Sequence, residues 1–457
     1  MANPSAPRAH TEGESNTSEA RAAWRAKAGD APTRALIGRD SDVFLHQSLS
    51  SPVLSAIAKA EGIWIEDTAG RRYMDFHGNS VHHIGYGHPK LVAAIKAQLD
   101  ELSFAPRRFT CEPAVELAEK LTSLARQNHG GDLGKVLFTT GGSDAVEVAL
   151  KVARAATGRF KTVSFWDAFH GAGFGAASVG GEDTFRSHIA GPLLPGAEHV
   201  APFACYRCPY KHAGPEVCGL ACAEMVSYVL EREGDVAAVI AEPMRAVPYV
   251  PPPGFWKHVK AACEAHGTLL IFDEIPTGLG KTGKFFASDH DGVTPDIIVL
   301  GKSLGGGILP VAAAIMRSDL DVCGDFAIGH YTHEKNPVTA RAALTTIGII
   351  EEEGLAARAA ALGEHAMGRM RDLMARAPIV GDVRGRGLLF GVEIVSDRES
   401  RAPGRELAEM IYYHCLEAGL SFKISQGCVL TLSPPLVISK TDLDRALDIV
   451  EEAVLSA

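Results

Sequence analysis

The sequence lacks several features that mark particular classes of protein. Its 457 residues carry 45 Lys and Arg against 55 Asp and Glu, a formal net charge of -10. An acidic chain disfavours a polyanionic partner, so we expect no nucleic acid, although a local basic pocket for a small anion stays compatible. No apolar run reaches the roughly 18 residues of a membrane span, so we expect no membrane association.

The N-terminus and the cysteines predict the compartment. The first residues are polar and lack the apolar stretch of a secretory signal. The nine cysteines are an odd number in a long chain, which does not suit a disulfide framework. We therefore expect a cytoplasmic protein with reduced cysteines.

The chain does contain enough apolar residues for a large core, being 46% hydrophobic. Its length exceeds the roughly 250–300 residues at which one core stops growing, so several domains are expected. Residues 1–40 read as an N-terminal arm, flexible and with one short helix, that is free to lie on a partner subunit. We assign 41–105 to the N-terminal part of a small domain, 106–340 to a large domain and 341–457 to the C-terminal part of the small domain.

Short apolar segments alternate with amphipathic helical stretches in the predicted large domain. These segments are 135–138, 162–165, 236–240, 269–272, 297–300 and 311–315. This alternation is typical of an α/β fold with a mostly parallel sheet covered on both faces. Elsewhere the patterns predict a hairpin over 62–76, helices over 90–102 and 351–376, and a strand over 387–394.

The first two candidate strand ends carry residues suited to a ligand beyond the sheet, where open α/β sheets bind small molecules. After 135–138, Thr-Thr-Gly-Gly-Ser leads directly into a helix. The N–H groups of that helix start and the hydroxyl of Ser143 would form an anion site, or Ser143 is a plain helix cap. Phe169 follows the next strand and would lie on a planar ring or fill the core.

Two charged residues follow strands that are otherwise apolar. Asp273 ends one of them, and a buried carboxylate is costly unless a cation such as a protonated pyridine nitrogen pairs with it. A helix cap or a buried salt bridge is the alternative. Lys302 follows another strand and precedes three glycines. A buried lysine has a lowered pKa and forms imines with aldehydes, and the glycines let the backbone approach a ligand.

Two glycine-rich motifs do not indicate a nucleotide site. Residues 278–283 match G-x-G-x-x-G, but no apolar helix of a βαβ unit follows them. The segment around Lys302 does not complete a P-loop, because Asp296 occupies the position of the required upstream glycine.

Four cysteines cluster in a Pro-rich stretch with the spacing C-x2-C-x9-C-x3-C: Cys205, Cys208, Cys218 and Cys222. Four thiolates suit zinc, but the second pair has an irregular spacing. We favour reduced, partly buried cysteines and assign no metal.

These strand-end residues, in this order, resemble the class III aminotransferase family of pyridoxal 5′-phosphate (PLP) enzymes. The resemblance covers about residues 50–450 and is most specific over 269–309, where Asp273, Thr-Gly-Leu-Gly-Lys-Thr-Gly and Lys302 fall in register. It implies PLP fold-type I, an α/β large domain with a mostly parallel sheet and a smaller α+β domain built from the two chain ends. It also implies a homodimer with shared active sites, or a dimer of dimers.

The resemblance assigns roles to matching positions. The implied cofactor residues are Gly142 and Ser143 at the phosphate, Phe169 and Ile275 on the two ring faces, Asp273 at the pyridine nitrogen, Glu242 near the cofactor, Thr332 reaching the phosphate from the partner subunit, and Lys302 as imine lysine and proton shuttle. Arg384 matches the arginine that grips a substrate carboxylate, and Arg245, His82 and His83 join it as candidate substrate-binding residues.

Some positions depart from the usual family pattern in ways that bear on the reaction. Pro276 stands where the family has a glutamine near the ring oxygen. Val247 stands where members that accept glutamate have a second glutamate that gates the arginine. An ungated Arg384, with Arg245 nearby in sequence, suits a substrate that is always anionic.

Three hypotheses about function follow. The first is an aminotransferase that acts on a small amine or amino acid with an anionic group and passes its amino group to a keto acid through Lys302. The alternative is a PLP-dependent ammonia-lyase on a hydroxylated aminoethylphosphonate of the (R)-1-hydroxy-2-aminoethylphosphonate type, because segments 77–79, 273–277 and 331–337 are similar to such a subgroup. There His82, His83 or His333 would protonate the leaving hydroxyl. The third is a non-catalytic zinc-binding or scaffold protein that uses the four-cysteine loop.

Overall fold

The computed structural model describes residues 11–13, 15–186 and 190–457. Residues 1–10 of the predicted N-terminal arm lie outside the described residues. The helices are α1 (Glu19–Ala28), α2 (Ala31–Val43), α3 (Pro89–Glu101), α4 (Glu112–His129), α5 (Gly142–Thr157), α6 (Phe174–Val179), α7 (Asp183–Arg186), α8 (Ala221–Glu233), α9 (Phe255–His266), α10 (Pro337–Glu352), α11 (Leu355–Arg376), α12 (Arg405–Glu417) and α13 (Lys440–Ser456).

The strands are β1 (Ile57–Glu61), β2 (Trp64–Asp67), β3 (Arg72–Asp75), β4 (Lys135–Thr139), β5 (Lys161–Phe165), β6 (Ala197–Val200), β7 (Val236–Ala241), β8 (Leu269–Asp273), β9 (Ile297–Leu300), β10 (Ala312–Met316), β11 (Val380–Arg386), β12 (Leu389–Asp397), β13 (Ala402–Pro403), β14 (Leu420–Ser421), β15 (Lys423–Ser425) and β16 (Val429–Leu432). The chain forms two compact units. The larger comprises Asn79–Ile84 and His88–Ala359, and the smaller comprises the remaining described residues.

The larger unit contains the predicted sheet. Among its described residues seven strands pair in the order β4-β10-β9-β8-β7-β5-β6. β10 is antiparallel to β4 and β9, and the other neighbours are parallel. The prediction of a mostly parallel sheet in an α/β fold is therefore confirmed.

Helices cover both faces of this sheet. Alternate residues of a strand point to opposite faces, so each strand contributes to two cores. Val239 and Leu270 pack in one core with residues of α8 and α9, among them Phe255 and Trp256. Their chain neighbours, such as Ile240, pack in a second core with residues of α5. Burial on both faces explains why these strands appear in the sequence as continuous apolar runs.

The smaller unit is built from both ends of the chain. One of its sheets has the order β1-β2-β3-β14, in which β14 from the C-terminal part pairs parallel with β3 from the N-terminal part. The other has the order β11-β12-β16-β15, with β13 pairing with β12. The predicted hairpin over 62–76 is present as β2 and β3.

The N-terminal arm differs from its prediction of one short helix in a flexible segment. The structure has α1 and α2 there, and each begins at a capping residue, Ser18 or Asp30. α1 is packed rather than loose: Arg21 pairs with Glu12, whose N–H donates to Glu409 at 3.0 Å. The sequence did not predict this packing, because the apolar stripe of α1 is weak and the contacts that hold the helix are buried polar pairs.

The predicted long helix over 351–376 is present as α11 but begins at Leu355, because residues 351 and 352 are the end of α10. α10 ends at Glu352 and α11 begins at Leu355, because Gly354 between them has a left-handed φ of +59°. β6, with the sequence Ala-Glu-His-Val, was not predicted because it has no apolar run.

The two units divide at other positions than the predicted boundaries after residues 105 and 340. The division falls near residues 78–88 and, inside α11, between Ala359 and Ala360. α3 and α10 therefore belong to the larger unit, where α10 packs against α3, α4 and the turn after β9. Packing of this kind between distant segments leaves no local mark in a sequence.

Candidate active site

The strands of the larger unit bring distant chain segments to one edge of the sheet. β4, β5, β7, β8 and β9 run in the same direction, because β10 is antiparallel to both β4 and β9. Their carboxyl ends therefore meet at one edge, where open α/β sheets bind ligands. The candidate residues that follow these strands are Gly142 and Ser143 after β4, Phe169 after β5, Glu242 and Arg245 after β7, Asp273 and Ile275 at the end of β8, and Lys302 after β9.

Asp273 is a buried carboxylate held by two donors. It is 1% exposed; its Oδ1 accepts the N–H of Ile275 at 3.0 Å, and its Oδ2 lies 2.8 Å from Nδ1 of His170. His170 is also buried, and its Nε2 has no hydrogen-bond partner among the described residues. Nδ1–H of His170 therefore donates to the carboxylate and fixes its orientation. Each carboxylate oxygen retains a lone pair for a further donor.

The adjacent Glu274 is also buried, but its carboxylate has a structural role that the carboxylate of Asp273 lacks. Its carboxylate accepts the N–H groups of Ala287 at 2.5 Å and Ser288 at 2.9 Å. Burial raises the pKa of Glu274 to about 7, against the lowering effect of these hydrogen bonds. Glu274 therefore anchors the following turn, while Asp273 retains acceptor capacity.

The N-terminus of α5 is open toward the carboxyl edge. Its N-cap, Gly141, supplies no side-chain hydrogen bond to the first turn. Oγ of Ser143 accepts the N–H of Gly173 at 2.9 Å and keeps its own proton to donate. Gly171, with φ +136°, passes so close that a Cβ there would lie 2.6 Å from that Oγ. Unpaired N–H groups at a helix start together with a hydroxyl make an anion site.

Ile275 lies between the helix start and the turn after β9. A Cβ at Gly142 would lie 2.7 Å from Cδ1 of Ile275, and a Cβ at Gly301 would lie 3.4 Å from its Cγ1. The structure thus places Gly142, which is predicted to hold the phosphate, and Gly301, which precedes Lys302, on the side chain of Ile275.

Lys302 occupies a strained position after a fully buried strand. It has a left-handed φ of +39° and opens the turn Lys302–Gly305. The following turn is tight, because a Cβ at Gly306 would lie 2.2 Å from Leu91 and 2.7 Å from Thr346. A left-handed backbone conformation strains a non-glycine residue, and such residues are found mainly at functional sites, where the surrounding structure holds them. The surrounding structure therefore determines where Lys302 lies.

Phe169 is partly exposed rather than a core residue. Its ring packs against Phe185 with a centroid distance of 4.4 Å and an interplanar angle of 46°. This placement at the carboxyl edge leaves the ring available for a planar ligand.

Glu242 and Arg245 form a loose buried pair in the turn after β7. They are 5% and 3% exposed, and Nε of Arg245 lies 3.8 Å from Oε1 of Glu242, beyond hydrogen-bond distance. Oε2 of Glu242 instead accepts the N–H of Ala246 at 2.9 Å. Nε and Nη1 of Arg245 have no hydrogen-bond partner among the described residues, and its guanidinium lies 5.6 Å from the ring of Tyr249.

His82 and His83 are buried in the larger unit beside a buried lysine, Lys281. Burial lowers the pKa of His83 well below its usual range, and the charges of Lys281 and His82 lower it further. Its Nδ1 lies 3.3 Å from the carbonyl oxygen of Leu279, which can only accept, so Nδ1 carries the proton. His83 is therefore neutral, with an Nε2 that can accept but not donate a hydrogen bond.

The sequence that forms this arrangement matches a known family. A family model described as aminotransferase class III matches residues 46–454. The chain belongs to the class III aminotransferase family. It is therefore a PLP-dependent enzyme, and its cofactor is pyridoxal 5′-phosphate.

Relatives of this class III chain have several activities. It is 43% identical over 458 residues to the (R)-1-hydroxy-2-aminoethylphosphonate ammonia-lyase of Vibrio splendidus, covering 97% of this chain and 95% of that protein. It is 38% identical over 414 residues to a leucine/methionine racemase of Thermococcus litoralis, covering 88% and 91%. A PLP-bound amine transaminase from an uncultivated Pseudomonas species has the same fold, with a TM-score of 0.84, 31% identity and coverage of 91% and 98%. The fold-type I architecture is thereby confirmed.

The residues of the larger unit fit the cofactor of class III enzymes. The buried carboxylate of Asp273 has spare acceptor capacity where a pyridinium N–H needs an acceptor. The open start of α5 suits a phosphate, and Lys302 supplies an amine at the same edge. Small-molecule amines are the substrates that suit this family.

The resemblance also singled out Thr332 and Arg384. Thr332 is exposed in the segment before α10. Arg384 belongs to the smaller unit, where its Nη1 donates to Asp382 at 2.7 Å and to Glu393 at 2.6 Å.

The four clustered cysteines line one cavity together with His212. They are unoxidised, and no three described His, Cys, Asp or Glu side chains are placed to hold a metal ion. Among the described residues no helix is long and apolar enough to cross a membrane.

Sequence reasoning missed the role of His170. The residue directly follows Phe169, but nothing local marks it as the partner of a carboxylate 103 positions away. A buried carboxylate requires a hydrogen-bond donor, so the sequence indicated that Asp273 needs a partner. It did not indicate that the partner is His170.

Proposed function

We propose that this enzyme is a PLP-dependent ammonia-lyase acting on a hydroxylated aminoethylphosphonate of the (R)-1-hydroxy-2-aminoethylphosphonate type. The observation that carries this proposal is the 43% identity to a lyase of that name along 97% of the chain. The sequence alone favoured transamination first and this lyase second. The identity along 97% of this chain and 95% of that relative supports the reverse order.

The burial of Val247 supports this order. It is 8% exposed and packs in a hydrophobic core, and valine has no carboxylate that could switch an arginine between two kinds of substrate. A lyase binds one substrate and needs no such switch, whereas a transaminase must admit an amino donor and a keto acceptor in turn.

The cofactor would be held by the residues at the carboxyl edge. We assign its phosphate to Gly142 and Ser143, its two ring faces to Phe169 and Ile275, and its nitrogen to Asp273. We place Glu242 near the cofactor. When bound, PLP stabilises negative charge on the carbon next to the substrate nitrogen. Asp273, fixed by His170, would keep the ring nitrogen protonated for this purpose.

Lys302 is the proposed proton acceptor. Its amine would take the proton from the carbon that bears the substrate nitrogen, and the electron pair left behind would expel the hydroxyl from the adjacent carbon as water. A water molecule is then consumed as the carbon–nitrogen bond is hydrolysed. The net products are ammonia and an aldehyde that retains the phosphonate.

The proton for the departing hydroxyl does not come from His83. Its only ring proton, on Nδ1, faces the carbonyl of Leu279, and its lowered pKa keeps Nε2 unprotonated. His83 instead offers an acceptor to a substrate hydroxyl or ammonium group. His333 is exposed, with its ring 5.5 Å from that of Phe104. The third candidate, His82, is buried. We propose instead that the amine of Lys302, which has just received a proton, passes it to the departing hydroxyl.

We further propose a homodimer with shared sites in a reducing compartment such as the cytoplasm. Exposure of Thr332 is compatible with its reaching a partner's cofactor. The nine free cysteines are compatible with a reducing environment.

The test is ammonia release by the purified holoenzyme from (R)-1-hydroxy-2-aminoethylphosphonate, with and without pyruvate. We expect one ammonia for each aldehyde without any keto acid, and no stimulation by pyruvate. Lys302→Ala is expected to lose at least about 100-fold in rate while remaining folded. Strict dependence on a keto acid would instead establish transamination, the second candidate, which the likeness to a solved amine transaminase favours.

A further inference from the structure

The arginine that the family uses for a substrate carboxylate is already engaged in this chain. Nη1 of Arg384 donates to both Asp382 and Glu393, and Glu393 is 1% exposed. Two carboxylates against one guanidinium leave little positive potential for a third anion, and that anion would meet like charge at close range.

The surroundings of Arg245 differ, because no carboxylate among the described residues lies within hydrogen-bond distance of its guanidinium. It is 3% exposed, and two of its donor nitrogens have no hydrogen-bond partner among the described residues. Oε1 of Glu242 lies 3.8 Å from Nε of Arg245, and the carboxylate is held in place by the N–H of Ala246. A buried guanidinium with unused donors is costly, and an anionic ligand is the usual compensation.

The position of Arg245 in the sheet places it beside the candidate chemistry. It follows β7, whose two neighbours are β8, which ends in Asp273, and β5, which leads to Phe169 and His170. A small substrate centred over these strand ends would have its anionic group within reach of the turn after β7. Arginine is also well suited to phosphate-like groups, because its planar fork matches their oxygens.

We propose that Arg245, and not Arg384, binds the phosphonate of the substrate and selects for it. This inference rests on the proposed function, which supplies the phosphonate. It explains why an arginine stands in a turn where the carboxylate of Glu242 is held by the N–H of Ala246. It also separates this chain from family members that use the arginine of the smaller unit.

Direct binding of methylphosphonate to the holoenzyme, measured by titration calorimetry, tests the proposal without requiring turnover. We expect Arg245→Gln to weaken this binding about 10- to 100-fold, the effect of losing charged hydrogen bonds. Arg317→Gln is the matched control, because Arg317 lies in the same unit and is paired by Asp296 and Asp319. It is expected to bind methylphosphonate as the wild type does.

Steady-state kinetics test whether Arg245 selects phosphonate over carboxylate substrates. Against the hydroxylated aminoethylphosphonate, Arg245→Gln is expected to raise KM about 10- to 100-fold, with a smaller change in kcat. The carboxylate counterpart, 3-amino-2-hydroxypropanoate, is expected to be a poorer substrate than the phosphonate for the wild type, and the difference is expected to shrink in the variant.

Arg245→Lys guards against a folding defect, since it keeps the buried charge but loses the planar fork. Cofactor absorbance and thermal melting establish that each variant is folded. Unchanged methylphosphonate binding by a folded Arg245→Lys or Arg245→Gln enzyme, or loss of binding only in Arg384→Gln, overturns the proposal. If no ammonia is released from the hydroxylated aminoethylphosphonate, the proposed function fails, while the methylphosphonate titration still decides the role of Arg245.

Discussion

At the scale of single residues, buried polar pairs carry most of the information about the site. Asp273 was predictable because a carboxylate at the end of an apolar strand demands a compensating cation or donor. His170 was not predictable, because its 2.8 Å contact with Asp273 joins residues from two different strand ends. The same holds for Arg384, whose sequence context suggested a free arginine but whose guanidinium contacts Asp382 and Glu393.

The hydrogen bond from His170 predicts a measurable effect on the chemistry. His170→Phe keeps the ring volume but removes the donor to Asp273, so we expect kcat to fall about 10- to 100-fold with the cofactor still bound. His170→Asn should recover part of the rate, because its amide nitrogen can take the place of Nδ1.

A spectroscopic measurement distinguishes this role of His170 from a merely structural one. The pH titration of the bound cofactor's absorbance should shift in His170→Phe and return toward the wild type in His170→Asn. A His170→Phe enzyme with the wild-type kcat and an unchanged titration would show that His170 does not act through Asp273.

At the scale of elements, the start of α5 is shaped by the turn that follows β5. Gly171 has a positive φ, and its Cα passes against Ser143, so the two elements meet with no room for a side chain. The sequence identified the glycines and the serine of α5 but not this contact, which depends on how the strands are ordered in the sheet.

Gly171→Ala is therefore expected to weaken the binding of PLP. The new methyl group must displace Ser143, which we propose to bind the phosphate. Loss of one charged hydrogen bond to a phosphate corresponds to about a 10- to 100-fold higher Kd. Titration of the apoenzyme with PLP, followed by absorbance, measures this change.

Gly158→Ala is the matched control for Gly171→Ala. Gly158 ends α5 with φ +65° and has open space around its Cα. It should cost about 1–2 kcal/mol of unfolding free energy through backbone strain and leave the Kd for PLP unchanged. Equal effects of the two substitutions on that Kd would mean that strain, and not the contact with Ser143, is responsible.

At the scale of the whole molecule, the two compact units divide the candidate residues between them. Lys302, Asp273 and Arg245 belong to the larger unit, and Arg384 belongs to the smaller. Several large apolar side chains are exposed, including Phe44 and Leu45 after α2 and Phe326 before α10. Exposed apolar groups of this size are compatible with the proposed homodimer.

A mixed dimer tests whether the sites are shared. Lys302→Ala and Thr332→Ala homodimers should each be impaired, the second through weaker PLP binding. After subunits of the two variants are mixed and exchanged, half of the sites in each hybrid would combine an intact Lys302 with an intact Thr332 from the other subunit. We expect activity to rise above that of either parent, as followed by ammonia release at a PLP concentration below the Kd of the Thr332→Ala enzyme.

Two further results complete this test. The wild-type enzyme should elute in size-exclusion chromatography with light scattering at twice the chain mass or a multiple of it. A monomer, or hybrids no more active than a simple mixture of the parents, would exclude shared sites.

The sequence by itself determined the α/β class, the positions of six strands of the larger sheet and the family, and it predicted cofactor residues at the ends of those strands. It could do so because each depends on local patterns: continuous apolar runs for buried strands, and polar or glycine residues at their ends. Only the tertiary structure decided which polar groups are satisfied. It joined His170 to Asp273, fixed the proton of His83 on Nδ1, engaged Arg384 and left Arg245 with unused donors. The physical reason is that the partner of a buried polar group is set by the order of strands in the sheet, and that order joins residues far apart in the chain.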